Sequence, residues 1–457
     1  MTLVAADGVA ISPALPEPDL DGLRPGTPVP PSPVTSDEVA AVRRPVDEAH
    51  LLPPRVFHDP AVHAWEQEAW FARTWLCVGR EDDAPEPGSY FLAQVAGESL
   101  VVVRGRDGEL RSFYNVCRHR GATILEEDRG SLVRIQCPYH AWTYELDGTL
   151  RGAKHIDTLI DFERADQGLV PVRLERWAGF VFVNLAGSAA PPLAEALVDL
   201  PDVLARFPLG DLRRAKRIEY EVNANWKVIA ENYSECYHCP GVHPQLNKLT
   251  PYDQGRNLES KGPWAGGWME LVADSETMSL DGHTHGRPPL RGLPLEDQRR
   301  IYYFVVWPNL LLSVHPDYLM THQVWPIDAE RSRVICEWHF EPATMAVDGF
   351  DPTDAVEFWD LTNRQDWHVC ELQQQGTRSR AYTAGRYSLM EDMVHAFDLM
   401  VADGYAQDGV RTAFAPRHDK WRDTRVRRSP LATTRVNGNG QVGESSSSDR
   451  MRSRGAS

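Results

Sequence analysis

Four side chains of the stretch CRHRGATILEEDRGSLVRIQCPYHAWTY, residues 117–144, are of the types that hold metal: Cys117, His119, Cys137 and His140. They come as a Cys-x-His pair and a Cys-x-x-His pair, each short enough to sit on one tight loop, and two such loops can close on metal between them. A structural zinc also takes two Cys and two His. Against zinc, each pair supplies one thiolate and one imidazole, and both lie in a run of short strands. A two-iron, two-sulfur cluster needs such a set, with Cys117 and Cys137 on one iron and His119 and His140 on the other. Replacing two thiolates by neutral imidazoles removes negative charge and raises the reduction potential. Gly121 and Pro138 suit loops that wrap such a cluster.

A second concentration of ligand types lies in NWKVIAENYSECYHCPGVHPQL, residues 225–246, where His238 and His243 follow Glu235. Two histidines and one carboxylate form the facial triad of mononuclear Fe(II) oxygenases, which leaves positions open for O2 and substrate. Cys236 and Cys239 make a C-x-x-C that could instead join the histidines on zinc, but one short turn would then have to supply every ligand. Activating O2 at iron needs electrons, and no G-x-G-x-x-G stands between a strand and a helix to bind a flavin or nicotinamide.

These residues need a scaffold, and the 457-residue chain is long enough for two or three domains. Residues 1–45 are rich in Pro and poor in large apolar side chains, and 421–457 form a polar tail; both are expected to be disordered. DPAVHAWEQEAWFARTW, within 46–75, has an acidic start, Pro60 at the first helical position and an apolar stripe at helical spacing. Residues 76–190 read as short strands broken by Gly, Asp and Pro, a small all-β domain. Residues 205–420 mix strands such as RIYYFVVW and LLLSVH with helical stretches near 224–238 and from Ala355 and Ser388, the pattern of a sheet with long helices against it. The net charge of −17 argues against nucleic acid or an anionic membrane as partner. The longest apolar stretch, from Ile301, is interrupted by Pro308 and is too short to span a bilayer. Seven cysteines without an export signal argue against a disulfide framework and for a reduced, cytoplasmic protein.

CRHRG and CPYHAWTY resemble the Rieske signature of the oxygenase components of Rieske non-haem iron oxygenases. The extra loop cysteines of respiratory Rieske proteins are absent, since Arg120 and Gly121 follow His119 and Tyr139 follows Pro138. ENYSECYHCPGVH is similar to the family's E-N-x-x-E/D-x-Y-H-x-x-x-x-H motif. The resemblance covers roughly residues 50–410 and implies an α+β chain, with an all-β Rieske domain and a helix-grip catalytic domain. It implies a [2Fe–2S] Rieske cluster on Cys117, His119, Cys137 and His140, and a mononuclear Fe(II) on His238, His243 and a carboxylate of the segment 363–388. Asp366 is the choice there, Glu371 the lesser candidate, and Asp360, Asp392 and Asp398 are expected to be solvated helix charges. It also implies a homotrimer in which Glu235 bridges His140 of one subunit and His238 of the next. Electrons would come from NAD(P)H only indirectly, through a separate flavin/iron–sulfur reductase, with or without a ferredoxin.

Glu235, where most members have Asp, looks like the branch that oxidises glycine betaine, stachydrine and carnitine. The expected reaction with O2 is therefore hydroxylation next to nitrogen in a methylated amine, with N-dealkylation. Trp264, Trp268, Tyr302, Phe304 and Tyr382 are candidates for an aromatic cage around the cation. Hydroxylation of an aromatic or other apolar substrate is the alternative, and a Rieske electron-transfer protein the non-enzymatic one; His238 and His243 argue against the latter.

Overall fold

The computed structural model describes residues 29–416 apart from 157, 158, 161, 408 and 411–413. The expected tail at 421–457 and residues 1–28 of the Pro-rich start lie outside the described residues.

Strands alternating Val, Phe and Tyr with polar residues build a seven-stranded antiparallel sheet between residues 76 and 184. Its spatial order is Leu76–Arg80, Phe180–Asn184, Pro171–Trp177, Leu110–Tyr114, Glu98–Arg104, Ser89–Val95 and Arg129–Ser131. A three-stranded sheet of Ile135–Gln136, Thr143–Tyr144 and Leu150–Gly152 carries the second Cys-His loop at a hairpin tip. Val101, Val103, Phe113, Ile135, Trp142 and Tyr144 share one core beneath both Cys-His loops.

The second sheet is also seven-stranded and antiparallel, in the order Arg213–Val222, Ser332–Phe340, Leu319–Pro326, Leu310–Val314, Arg300–Val306, Trp264–Glu270 and Gly255–Asn257. Against one face lie the helices Trp226–Tyr233, Thr353–Thr377 and Asp392–Tyr405. Side chains alternate across a strand, so Val305, Leu311, Met320 and Cys336 pack with the helices while Tyr302, Phe304, Leu312 and Leu319 form a separate core on the far side. The 25-residue helix Thr353–Thr377 spans about 37 Å at 1.5 Å per residue and crosses the sheet's inner face.

Residues 29–45, expected to lack structure, are ordered. Thr35 and Glu38 form a reciprocal capping box on the one-turn helix Ser36–Val39, and Val34, Val39 and Val42 are buried. The composition argument counts only what a segment can bury against itself, whereas this one docks on the helix Asp392–Tyr405. Arg43 pairs with Asp403 at 2.6 Å, and His395 Nε2 bonds the carbonyl of Val42 at 2.7 Å. The helix Pro60–Glu66 is held from its last residue. Buried Glu66 accepts from Lys227 Nζ at 2.6 Å and Trp226 Nε1 at 2.9 Å, and from the Tyr405 hydroxyl. Both members of the Glu66–Lys227 pair are fully buried.

Candidate metal centres

The two Cys-His loops share one geometry. The amide of Gly121 donates to the Cys117 carbonyl at 3.1 Å, and that of Ala141 to the Cys137 carbonyl at 3.1 Å. Both residues are left-handed, at φ 69° and 56°, which turns each chain back on itself within five residues. The Cys117 and Cys137 amides then donate to the carbonyls of Ala122 and Trp142 at 2.9 and 2.8 Å. The outcome is two parallel fingers with Cys117 and Cys137 buried and His119 and His140 exposed. The imidazole centroids are 4.7 Å apart, and Trp142 stacks on His119 at 4.9 Å. The Tyr144 hydroxyl accepts from the Arg118 amide at 3.1 Å, which leaves its proton for Cys117 Sγ at 3.4 Å.

A tetrahedral zinc would draw its donors to roughly 3.5 Å of one another. Among the described residues, one trio of His, Cys, Asp or Glu ligand atoms lies within 4.8 Å of one another, and it contains none of these four residues. A donor set split between two buried thiols and two exposed imidazoles fits a two-iron cluster, with the sulfurs toward one iron and the rings toward the other.

That one trio is His238, His243 and Asp366. Asn225 caps the helix Trp226–Tyr233 by accepting from the Lys227 amide at 3.0 Å. The helix stops after Tyr233, and residues 234–238 form a loop that leads into the one-turn helix Cys239–Val242, with Pro240 in its first turn. Glu235 organises this loop: Oε2 accepts from the amides of Tyr237 and His238, and Oε1 takes the Nδ1 proton of His238 at 2.5 Å. His243 Nδ1 donates to Gln365 Oε1 at 2.7 Å. With both Nδ1 positions occupied, both Nε2 lone pairs face Asp366 Oδ1, at 3.3 Å from His238 and 2.7 Å from His243. Three electron-pair donors aimed at one another repel unless a cation sits between them, and a bound metal ion would supply it. Burial opposes a proton on His238, but the Asp366 and Glu235 carboxylates outweigh burial and lift its pKa to about 10.

Asp366 is thus brought to the histidines, while Glu371 is not: it accepts from the Asn223 amide and side chain at 3.0 Å each. Gln365 gave no signal in the sequence, because its role depends on a ring 122 residues away. The structure corrects the reading of the other acids. Asp398 is fully buried, accepts from the Tyr387 hydroxyl at 2.6 Å, and has its pKa pushed up to about 7 by burial. Its neighbour Glu231, one turn before Glu235, is also buried and raised for the same reason. Asp392 is buried and accepts from Asn257 at 2.6 Å. These helices present those positions inward because the helix Asp392–Tyr405 is enclosed on nearly all sides. Asp360 is partly buried, accepting from the Tyr220 hydroxyl at 2.6 Å and Arg364 at 2.8 Å.

The expected cage also needs correction. Trp264, Tyr302 and Phe304 lie in the core on the far side of the sheet, and Trp268 stacks under Arg300 at 4.1 Å. The aromatic wall on the helix side is a chain of neighbouring rings. Tyr233 meets Tyr303 at 6.0 Å and His322 at 5.6 Å, Tyr303 meets Trp359 at 6.4 Å, and His322 meets Trp367 at 6.4 Å. Burial holds His322 neutral, with a pKa near 4, while its Nε2 bonds Asn363 Oδ1 at 3.1 Å.

A Rieske-type donor set and a two-histidine, one-carboxylate site in one α+β chain define an oxygenase that takes electrons at one centre and O2 at the other. The pattern of the Rieske [2Fe-2S] domain matches residues 74–163, and that of the ring hydroxylating alpha subunit (catalytic domain) matches residues 209–407. The chain is 32% identical over 380 residues to the glycine betaine monooxygenase oxygenase subunit of Chromohalobacter salexigens, covering 77% of this chain and 85% of that one. It is 32% identical over 349 residues to the carnitine monooxygenase oxygenase subunit of Acinetobacter pittii, covering 74% and 88%. The solved quaternary ammonium Rieske monooxygenase CntA in complex with L-carnitine superposes with a TM-score of 0.67 at 27% identity, covering 81% of this chain and 99% of that one. Naphthalene 1,2-dioxygenase from Rhodococcus sp. shares the fold, with a TM-score of 0.65 at 18% identity over 82% of this chain and 98% of that one. The chain belongs to the Rieske non-haem iron oxygenases, as an oxygenase (alpha) component. It works with a Rieske [2Fe–2S] cluster and a mononuclear iron, on O2 and a small substrate, with a reductase as electron donor. No helix among the described residues is long and apolar enough to cross a membrane.

Proposed function

We propose that this oxygenase hydroxylates a C–H bond next to nitrogen in a methylated, quaternary or tertiary amine. The observation that carries the reading is its identity with glycine betaine and carnitine monooxygenase oxygenase subunits over most of both chains. Cys117, His119, Cys137 and His140 hold the cluster, and His238, His243 and Asp366 hold the mononuclear iron, which supplies O2 activation when electrons reach it.

The chain's own side chains do the rest. Glu235 and Gln365 fix the ring orientation of His238 and His243 by taking their Nδ1 protons. Tyr233, Tyr303, Trp359 and Trp367, neighbouring rings on the helix side of the sheet, are the candidates to meet a cation, each ring that does so being worth ~0.5–2 kcal/mol according to desolvation. Hydroxylation consumes O2, two electrons and two protons and releases one water. The hydroxylated carbon then expels the amine, losing a proton and leaving an aldehyde.

Exposure of His119 and His140 supports electron transfer across a subunit boundary, in a homotrimer where Glu235 spans from His140 of one subunit to His238 of the next. The need for NAD(P)H through the reductase, with Cys77, Cys336 and Cys370 left as free thiols, supports a cytoplasmic location. The test is an uncoupling screen with a reductase across methylated amines, their neutral carbon isosteres and aromatic acids. Aldehyde in proportion to O2 consumed, from cations only, is expected. Equal stimulation by the isosteres, or a product that keeps its N-methyl groups and gains a ring hydroxyl, replaces this reading by aromatic hydroxylation.

A further inference from the structure

The C-x-x-C of the histidine loop is used by neither metal centre. Cys236 and Cys239 are joined as a disulfide with Cα atoms 4.9 Å apart, a separation that a disulfide spans without moving the backbone. The five remaining cysteines are free. The staple encloses Tyr237 and His238, and each half adjoins a group that positions a metal ligand. Glu235, which orients His238, directly precedes Cys236. The Cys239 carbonyl accepts the amide of His243 at 2.9 Å, and the Cys236 carbonyl accepts the amide of Cys239 at 3.1 Å. Closing so short a ring adds little to global stability, so its effect is local, on the loop that carries both histidines. In a chain kept in a reducing compartment, disulfides are mostly redox-active rather than structural.

We propose that Cys236 and Cys239 form a redox-active dithiol/disulfide couple whose oxidised state retains metal at His238, His243 and Asp366. The proposal rests on that trio being the mononuclear iron site. Cys236 is partly exposed and Cys239 is buried, so the thiolate of a protein or small-molecule dithiol attacks Cys236 and Cys239 leaves as thiol. The second thiol of the reductant then resolves the mixed disulfide. Two electrons and two protons pass to the chain, and the reductant becomes the disulfide. Hydrogen peroxide, formed when O2 is reduced without oxidising substrate, reverses the step: two thiols lose two electrons and two protons, and the peroxide leaves as two waters. The site thus lies where its oxidant is generated.

The test uses the full-length, iron-loaded protein. Alkylation followed by peptide mass spectrometry should find Cys236 and Cys239 linked before reduction and both alkylated after a phosphine. Loss of iron to a ferrous chelator, with the visible Rieske absorbance as internal control, should be at least 5-fold faster after reduction. Cys236→Ser should release iron at the fast rate with or without phosphine, and Cys239→Ser should match it. Two alkylatable thiols even after stoichiometric peroxide overturn the proposal. So do equal release rates with and without phosphine, when Asp366→Ala has abolished the chelatable pool. A chelatable pool unchanged by Asp366→Ala overturns the site assignment, and the proposal with it.

Discussion

Asp398→Asn isolates one buried proton near the catalytic centre. Asp398 lies on the helix Asp392–Tyr405, is fully buried, and shares its surroundings with Glu231, one turn before Glu235. Burial raises its pKa from 3.8 to about 7. The folded chain therefore keeps a proton that the unfolded chain releases above about pH 4, and stability falls as pH rises from there to about 7. At ~1.4 kcal/mol per pKa unit the full loss is at most ~4 kcal/mol, and sharing with Glu231 makes ~2–4 kcal/mol the expected range. Asparagine is isosteric and stays neutral; its Oδ1 accepts from the Tyr387 hydroxyl as Asp398 does, and its Nδ2 can donate to Glu231. The variant should match the wild type below about pH 4, already exceed it slightly near pH 5, and unfold several degrees higher near pH 8. Thermal midpoints by circular dichroism at half-unit pH steps would measure the difference. A difference that does not grow between pH 5 and 8 would refute the assignment of this proton to Asp398.

Asp366→Ala should lose the mononuclear iron and turnover while keeping the visible Rieske spectrum, read by metal analysis and absorbance. Tyr144→Phe removes the hydroxyl beside Cys117 Sγ and should lower the cluster potential by on the order of tens of millivolts, since hydrogen bonds to the sulfurs raise it; spectroelectrochemistry checks this. Tyr303→Leu should raise KM for a cationic substrate by roughly 2–30-fold, whereas Tyr302→Leu, one residue away on the other face, should leave KM unchanged and cost roughly 2–4 kcal/mol of stability. Lys227→Met strands Glu66 as a buried charge and should cost roughly 3–5 kcal/mol in denaturant unfolding.

The sequence alone determined what is local. Cys117 with His119, Cys137 with His140, and His238 with His243 are each spaced for one loop, so spacing and residue type were enough to single out both candidate donor sets. The shift from short strands to strands with long helices was equally legible, because periodicity is written residue by residue. Asp366 lies 123 residues from His243, and nothing in spacing joins them; only resemblance to a family pointed there. Tertiary structure decided the rest. In a run such as RIYYFVV every second residue faces the helices, and both faces here are apolar, so only the neighbours show that Tyr303 and not Tyr302 faces them. Asp398 reads as a surface acid until its helix is seen enclosed, and residues 29–45 read as disordered until a partner surface offers the burial they lack by themselves. Proximity in space, not residue type, makes Cys236 and Cys239 a staple and Gln365 the holder of a histidine ring.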